Sequence, residues 1–195
     1  MHDLNNEMMK NILVIGSSNT DLVIQADHFP EAGETVMGKT FNTFAGGKGA
    51  NQAVASARLG GAVTFIAKVG NDAFGTKAIE GFKKEGIHTD YIYRDDDAPS
   101  GVASIIIDKS GQNRIVVAPG ANNLLSKKDI EESSKAIEKG NIVLTEVYNP
   151  IYLETDTESL TVCMRDGGFE VGLKSSGCEL KWYTCGQGRI ASMEE

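Results

Sequence analysis

The sequence predicts an α/β protein built on a doubly wound, mostly parallel sheet, and three observations carry that prediction. A continuous apolar run at 11–16 reads as a strand buried on both faces, the habit of parallel sheets, and 63–68 and 141–147 read as a second buried strand and a later one. Stretches with apolar residues at helical spacing stand between them, beginning near Lys48, Ala73 and Ser126. The two kinds of segment alternate from Asn11 to Val147, which crossover connections turn into parallel strands with helices on both faces.

Taken in order, residues 1–10 are polar and expected to fray. The run Ile12-Leu13-Val14-Ile15 ends at Gly16. Asn19 and Asp21 follow at the C-terminal end of that strand, where open α/β sheets bind their ligands. A helix cap or an Asx turn is the other reading of these two residues, and the β-rich Leu22-Val23-Ile24 after them makes it the weaker one. Short strand-like pieces are expected at 21–25, 34–37 and 40–44.

Gly46-Gly47 lets the backbone turn sharply and come close to a ligand, because neither residue carries a Cβ. From Lys48 the residues Ala50, Ala53, Val54, Ala57 and Leu59 recur at helix spacing until Gly60-Gly61. Such a start leaves N–H groups aimed outward, where Lys48 and Asn51 add a charged donor and an amide. An ordinary tight turn before a buried Ala-rich helix fits the same composition. Farther on, Val69-Gly70-Asn71-Asp72 caps a helix over 73–85, a short strand or connection covers 87–94, and Asp95-Asp96-Asp97 is a solvated turn. A hairpin is expected from 102–107 and 114–117, then a helix from the cap Ser126 to 139.

One formal match is refused. Residues 33–40 fit G-x-x-x-x-G-K-[ST], but that phosphate loop needs a buried strand before it and a helix after it. Here Asp27-His28-Phe29-Pro30 precedes, and β-branched and aromatic residues follow.

At 195 residues the chain can form a domain with a sizeable core. Its net charge of -8 argues against nucleic acid or an anionic membrane as partner. No apolar run approaches the ~20 residues of a membrane span, and the first residues are too polar for a signal peptide, so a cytoplasmic protein is expected. Cys163, Cys178 and Cys185 lack the spacing of a zinc site, and His2, His28 and His88 have no partners at catalytic spacing. No metal ligands are expected.

The segments Gly16-Ser17-Ser18-Asn19-Thr20-Asp21, Pro30-Glu31-Ala32-Gly33-Glu34-Thr35-Val36 and Gly46-Gly47-Lys48-Gly49-Ala50-Asn51-Gln52-Ala53, in this order, resemble the sugar-kinase family of the phosphofructokinase-B type. The run Lys48 to Ala53 is similar to its ribokinase branch in particular. The resemblance covers 10 to about 150. It implies ATP-dependent phosphorylation of D-ribose to ribose 5-phosphate, with magnesium and a monovalent cation. By the same resemblance Asn19, Thr20, Asp21, Gly47, Lys48, Gly49, Ala50 and Asn51 hold the sugar. A carboxylate suits that task because it accepts from two vicinal hydroxyls at once. Residues 22–45 resemble the small β lid over the sugar, which in that branch also forms a homodimer contact. Val36, Met37, Phe41 and Phe44 are then expected to face a partner chain, the alternative being that they complete this chain's own core. Gly120-Ala121-Asn122-Asn123 resembles another loop beside the sugar pocket.

From Pro150 on, the resemblance is lost. Tyr148 stands where such kinases carry a sugar-binding glutamate, and a Gly-Ala-Gly-Asp loop with the catalytic aspartate is missing, as is an adenine pocket. The expectation is an N-terminal half over 1–150, with no catalytic or cofactor residue. A non-family tail, irregular over 151–195, follows, read in a shifted frame from about 144 or fused from elsewhere. Such a chain is expected to be inactive. The alternative is a non-catalytic sugar-binding or dimerising fragment.

Overall fold

The computed structural model describes residues 11–140 and 142–146, and the backbone of strands between 151 and 193. Its centre is a parallel sheet in the order β5-β4-β1-β8, formed by β1 (Asn11–Gly16), β4 (Ala62–Gly70), β5 (Ile92–Asp95) and β8 (Ile142–Glu146). Asn11 lies opposite Ala62, and Ile12 opposite Ile142. Consecutive side chains of β1 leave the sheet in opposite directions, and both faces are covered. Leu13 and Ile15 pack with Ile66, Leu125 and Ile130, while Val14 packs with Ala53, Val63, Phe65 and Phe82. The Phe65 and Phe82 rings meet edge to face at 5.2 Å.

The helices that cover these faces follow the expected signals. In α1 (Lys48–Arg58) the small Ala50 and Ala53 let the helix lie close to the sheet. In α2 (Ala73–Lys84) Asp72 is the cap, its Oδ1 accepting from Gly75 N–H at 2.8 Å. Ser126 and Asp129 cap each other at the start of α3 (Lys127–Glu132). The single helix expected to run to 139 is broken, with α4 (Ser134–Lys139) starting after buried Ser133. Ser133 Oγ and Tyr93 OH both donate to Asp129 O, at 2.8 and 2.7 Å, a competition for the helix carbonyl that bends the chain there.

A second sheet has the order β3-β2-β6-β7, from β2 (Asn19–Gln25), β3 (Thr40–Gly46), β6 (Gly101–Ile107) and β7 (Asn113–Ala118). The expected hairpin of 102–117 is therefore half of the lid, with β6 parallel to β2. The piece expected at 34–37 is no strand. Glu34 instead closes a turn, its N–H donating to Glu31 O and its carboxylate accepting from Glu31 N–H. Thr40 onward is a strand with no helix after Lys39, in keeping with the refusal of the phosphate loop. Met37, Phe41 and Phe44 are 83%, 62% and 55% exposed, so they do not complete the core of this chain.

Beyond 150 the expectation of irregular chain is corrected. Strands β9 (Ile151–Glu154), β10 (Glu158–Arg165), β11 (Gly168–Ser175), β12 (Lys181–Gly186) and β13 (Arg189–Met193) form an antiparallel meander. The physical reason lies in period-two alternation, as in Leu160, Val162 and Met164. The expectations for 1–10, Tyr148 and Cys178 lie outside the described residues.

Candidate sugar site

Two chain reversals meet at the C-terminal end of β1. One leads through Ser17-Ser18 into β2, the other from β3 through Gly47 into α1. Ala50 N–H donates to Ser17 O at 2.9 Å and holds them together. Gly47 has φ +93°, and a Cβ on it would lie 2.7 Å from Ser17 O and 2.9 Å from Asn19 N. A Cβ on Gly49 would lie 2.7 Å from Gly16 Cα. The two reversals are thus packed backbone against backbone, at a distance that only glycine permits. Gly46 does the same for a side chain, since a Cβ there would strike the Asp21 carboxylate.

The structure gathers the expected residues at this junction. Asn19 is buried, Thr20 and Asp21 are half-buried, and Lys48 and Asn51 are exposed on the first turn of α1. Burial pushes the Asp21 carboxyl above its ordinary value of 3.8. Asn19, Thr20, Ala50 and Asn51 also line a groove of about 670 Å³ that continues between α1 and α2 past Phe44 and Phe74. Asp21, Gly47, Lys48 and Gly49 are not on the wall of that groove.

Two supports of the junction were not among the residues expected to hold the sugar, although the loop carrying Asn122 was expected beside the pocket. Asn122 bonds to Ser18 and Asn19 across the chain. Asp72 accepts from Ser100 N–H at 2.8 Å and from Ser100 Oγ at 2.7 Å, which holds the segment leading into β6. Burial alone would raise the Asp72 carboxyl, but donors from Gly75 and Ser100 outweigh it and hold it below 3.8. The spacing of a cap made Asp72 visible in sequence; nothing local marks its bond to Ser100. The strand β8 ends on Glu146, in register with Gly16.

Among the described residues no three His, Cys, Asp or Glu side chains come together as a metal site. Asp95 instead accepts from the N–H groups of Asp97 and Ala98, as a solvated turn does. Also among the described residues, no helix is long and apolar enough to cross a membrane.

Known proteins agree with this architecture. The model of the pfkB family carbohydrate kinases matches residues 9–171. Ribokinase of Bacillus subtilis is 46% identical over 155 residues, 80% of this chain and 52% of that protein. Mouse (Mus musculus) ribokinase is 40% identical over 156 residues, 80% of this chain and 48% of its own length. The chain therefore spans about half the length of these relatives. Among solved structures, ribokinase from Thermotoga maritima superposes with a TM-score of 0.63 at 40% identity, covering 70% of this chain and 44% of that one. Arabidopsis thaliana ribokinase complexed with ribose and ATP gives 0.61 at 35% identity, covering 71% and 45%. With the matched family model covering most of its length and its parallel sheet, second sheet and glycine-closed junction in place, the chain belongs to the pfkB family of carbohydrate kinases.

Proposed function

We propose that this chain is the sugar-recognising part of a ribokinase-type enzyme, one that transfers phosphate from ATP to D-ribose in the cytoplasm. The observation that supports this best is the half-buried Asp21 carboxylate set against Gly46 at the meeting of the two reversals. A carboxylate with only acceptors fits a pair of vicinal hydroxyls. Asn19 and Asn51 add amides, Lys48 adds a cation, Gly47 and Gly49 bring backbone N–H groups within reach of the sugar, and Ala50, its own N–H bonded to Ser17 O, holds the two reversals together beside it. Thr20 completes the set on β2. A resemblance to ribokinases that bind ribose and ATP supports the choice of sugar.

Phosphoryl transfer relies on positioning and on stabilising the charge of the moving group. Within these 195 residues there is no Gly-Ala-Gly-Asp run to supply a base and an anion hole. We therefore expect the 195-residue chain to bind ribose without useful turnover. Magnesium and a monovalent cation belong to the reaction of the whole enzyme. The exposed Phe41 and Phe44 of the lid favour self-association as a homodimer.

Isothermal titration with ribose, ATP and GTP tests the reading. Ribose binding alone is the expected result. Binding of nucleotide without ribose would overturn it. A coupled assay with an intact ribokinase as control tests the second part, and turnover within tenfold of that control would refute it. The second reading, a dimerising fragment with no sugar site, is favoured by the apolar lid and predicts no ribose binding at all.

A further inference from the structure

We propose that Asn122 is a positioning residue for sugar recognition, turning the amide of Asn19 so that its Nδ2 faces the sugar. The inference rests on the ribose reading above. Asn122 lies in the 3-10 turn Gly120–Leu124 that follows β7. Its Oδ1 accepts from Ser18 N–H at 2.8 Å. Its Nδ2 donates to Asn19 Oδ1 at 2.8 Å, to Pro119 O at 2.9 Å and to Ser18 O at 3.2 Å.

These partners fix the orientation of two amides in turn. Ser18 N–H can only donate and the carbonyl of Pro119 can only accept, so Asn122 cannot exchange its oxygen and nitrogen. Asn19 must then meet Asn122 Nδ2 with its own oxygen, which leaves its NH₂ group for a ligand. Gly101 closes the arrangement from a third strand. A Cβ there would strike both Asn122 Nδ2 and Asn19 Oδ1, so no larger residue could stand beside the pair.

The chemical outcome is a donor beside an acceptor. Asn19 offers N–H, and Asp21, two residues along β2, offers only lone pairs. A hydroxyl both accepts and donates, so one sugar hydroxyl can join the two. An ether or carbonyl oxygen accepts but cannot donate to Asp21. The pair thus selects for a free hydroxyl, provided Asn122 keeps Asn19 turned.

The variant Asn122→Asp tests this. It keeps an oxygen for Ser18 N–H but replaces the donor facing Asn19, which then turns its NH₂ inward and shows oxygen to the sugar. Titration of the 195-residue chain with ribose, 2-deoxyribose and 3-deoxyribose is the measurement. Ribose should weaken about tenfold in N122D, the effect of leaving one polar group unpaired. The deoxy sugar that lacks the hydroxyl served by Asn19 should bind parent and variant about equally. The same loss for all three sugars would make Asn122 merely structural and overturn the proposal. If N122D does not fold, Asn19→Asp replaces it, because that change keeps the acceptor toward Asn122 and removes only the donor toward the sugar. A tenfold loss for ribose supports the proposal, and unchanged affinity overturns it. Failure of the unaltered chain to bind ribose is seen before any variant is made, and it overturns the function reading itself.

Discussion

Replacing Asp21 with alanine removes the carboxylate that lies against Gly46 at the junction of the two reversals. Two sugar hydroxyls lose their acceptor, and leaving such groups unpaired costs about 2–3 kcal/mol, or roughly 30- to 150-fold in affinity. Lys39→Ala is the matched control. Lys39 Nζ lies 2.5 Å from Asp27 Oδ1, but both side chains are exposed on the lid surface. An exposed pair of this kind contributes only about 0–1 kcal/mol to stability and none to recognition at a distance. Titration calorimetry with ribose should then show a large loss for D21A and a change under about twofold for K39A. A pH series sharpens the test. Burial raises the Asp21 carboxyl above 3.8, so the charged acceptor is lost at a higher pH than an ordinary carboxylate. Ribose affinity should fall as pH drops through that raised value, and Asp21→Asn should be flat across the same range. Equal losses from D21A and K39A would refute the assignment of Asp21 and point to a nonspecific lid.

Three further outcomes are expected. Phe65→Ala empties a fully buried position against Phe82 and should cost about 3–5 kcal/mol in urea unfolding; a cost under 1 kcal/mol would deny the core described. Asp72→Asn should destabilise by about 1–2 kcal/mol at neutral pH. The folded carboxyl is held below 3.8, so its stabilisation is present above that value and lost as pH falls through the folded one; parent and variant should converge in acid unfolding. Phe41→Glu places a charge on the exposed lid and should weaken the proposed self-association in sedimentation; the same association in parent and variant would remove the lid as the contact.

The central sheet was legible because β1 is apolar from Ile12 to Ile15 and β4 is mostly so, with Val63, Phe65, Ile66 and Ala67 buried on its two faces and Thr64 and Lys68 as the polar exceptions. Caps were legible for a similar reason: Asp72 and Ser126 act on donors three residues away. The membership of the lid was not. That β6 lies beside β2 depends on pairing Asn19 with Gly101, a contact between distant parts of the chain that leaves no periodic trace. The expected break-free helix to 139 failed because Ser133 answers to Tyr93, forty residues earlier. In the tail the alternation of Leu160, Val162 and Met164 is a strand signal that its unusual composition obscures. Of the site, the glycines and Asp21 could be read, but the amide that orients Asn19 could not, since its chemistry appears only when the loops meet.

The shared origin of three lid strands has a mechanical consequence. β2 and β6 begin, and β7 ends, within a residue or two of the Asn19–Gly101–Asn122 knot, and all run outward from it. Seven residues of β2 make an arm of about 20 Å. A tilt of about ten degrees at the pivot would carry Gln25 and its neighbour Thr40 through roughly 3–4 Å, given that strand rise. The sheet is a lever with the proposed sugar site at its fulcrum. Phe41 and Ile24 ride near its far end, so an adjustment at the fulcrum too small to disturb the core becomes a displacement large enough to align, or misalign, whatever surface meets that tip.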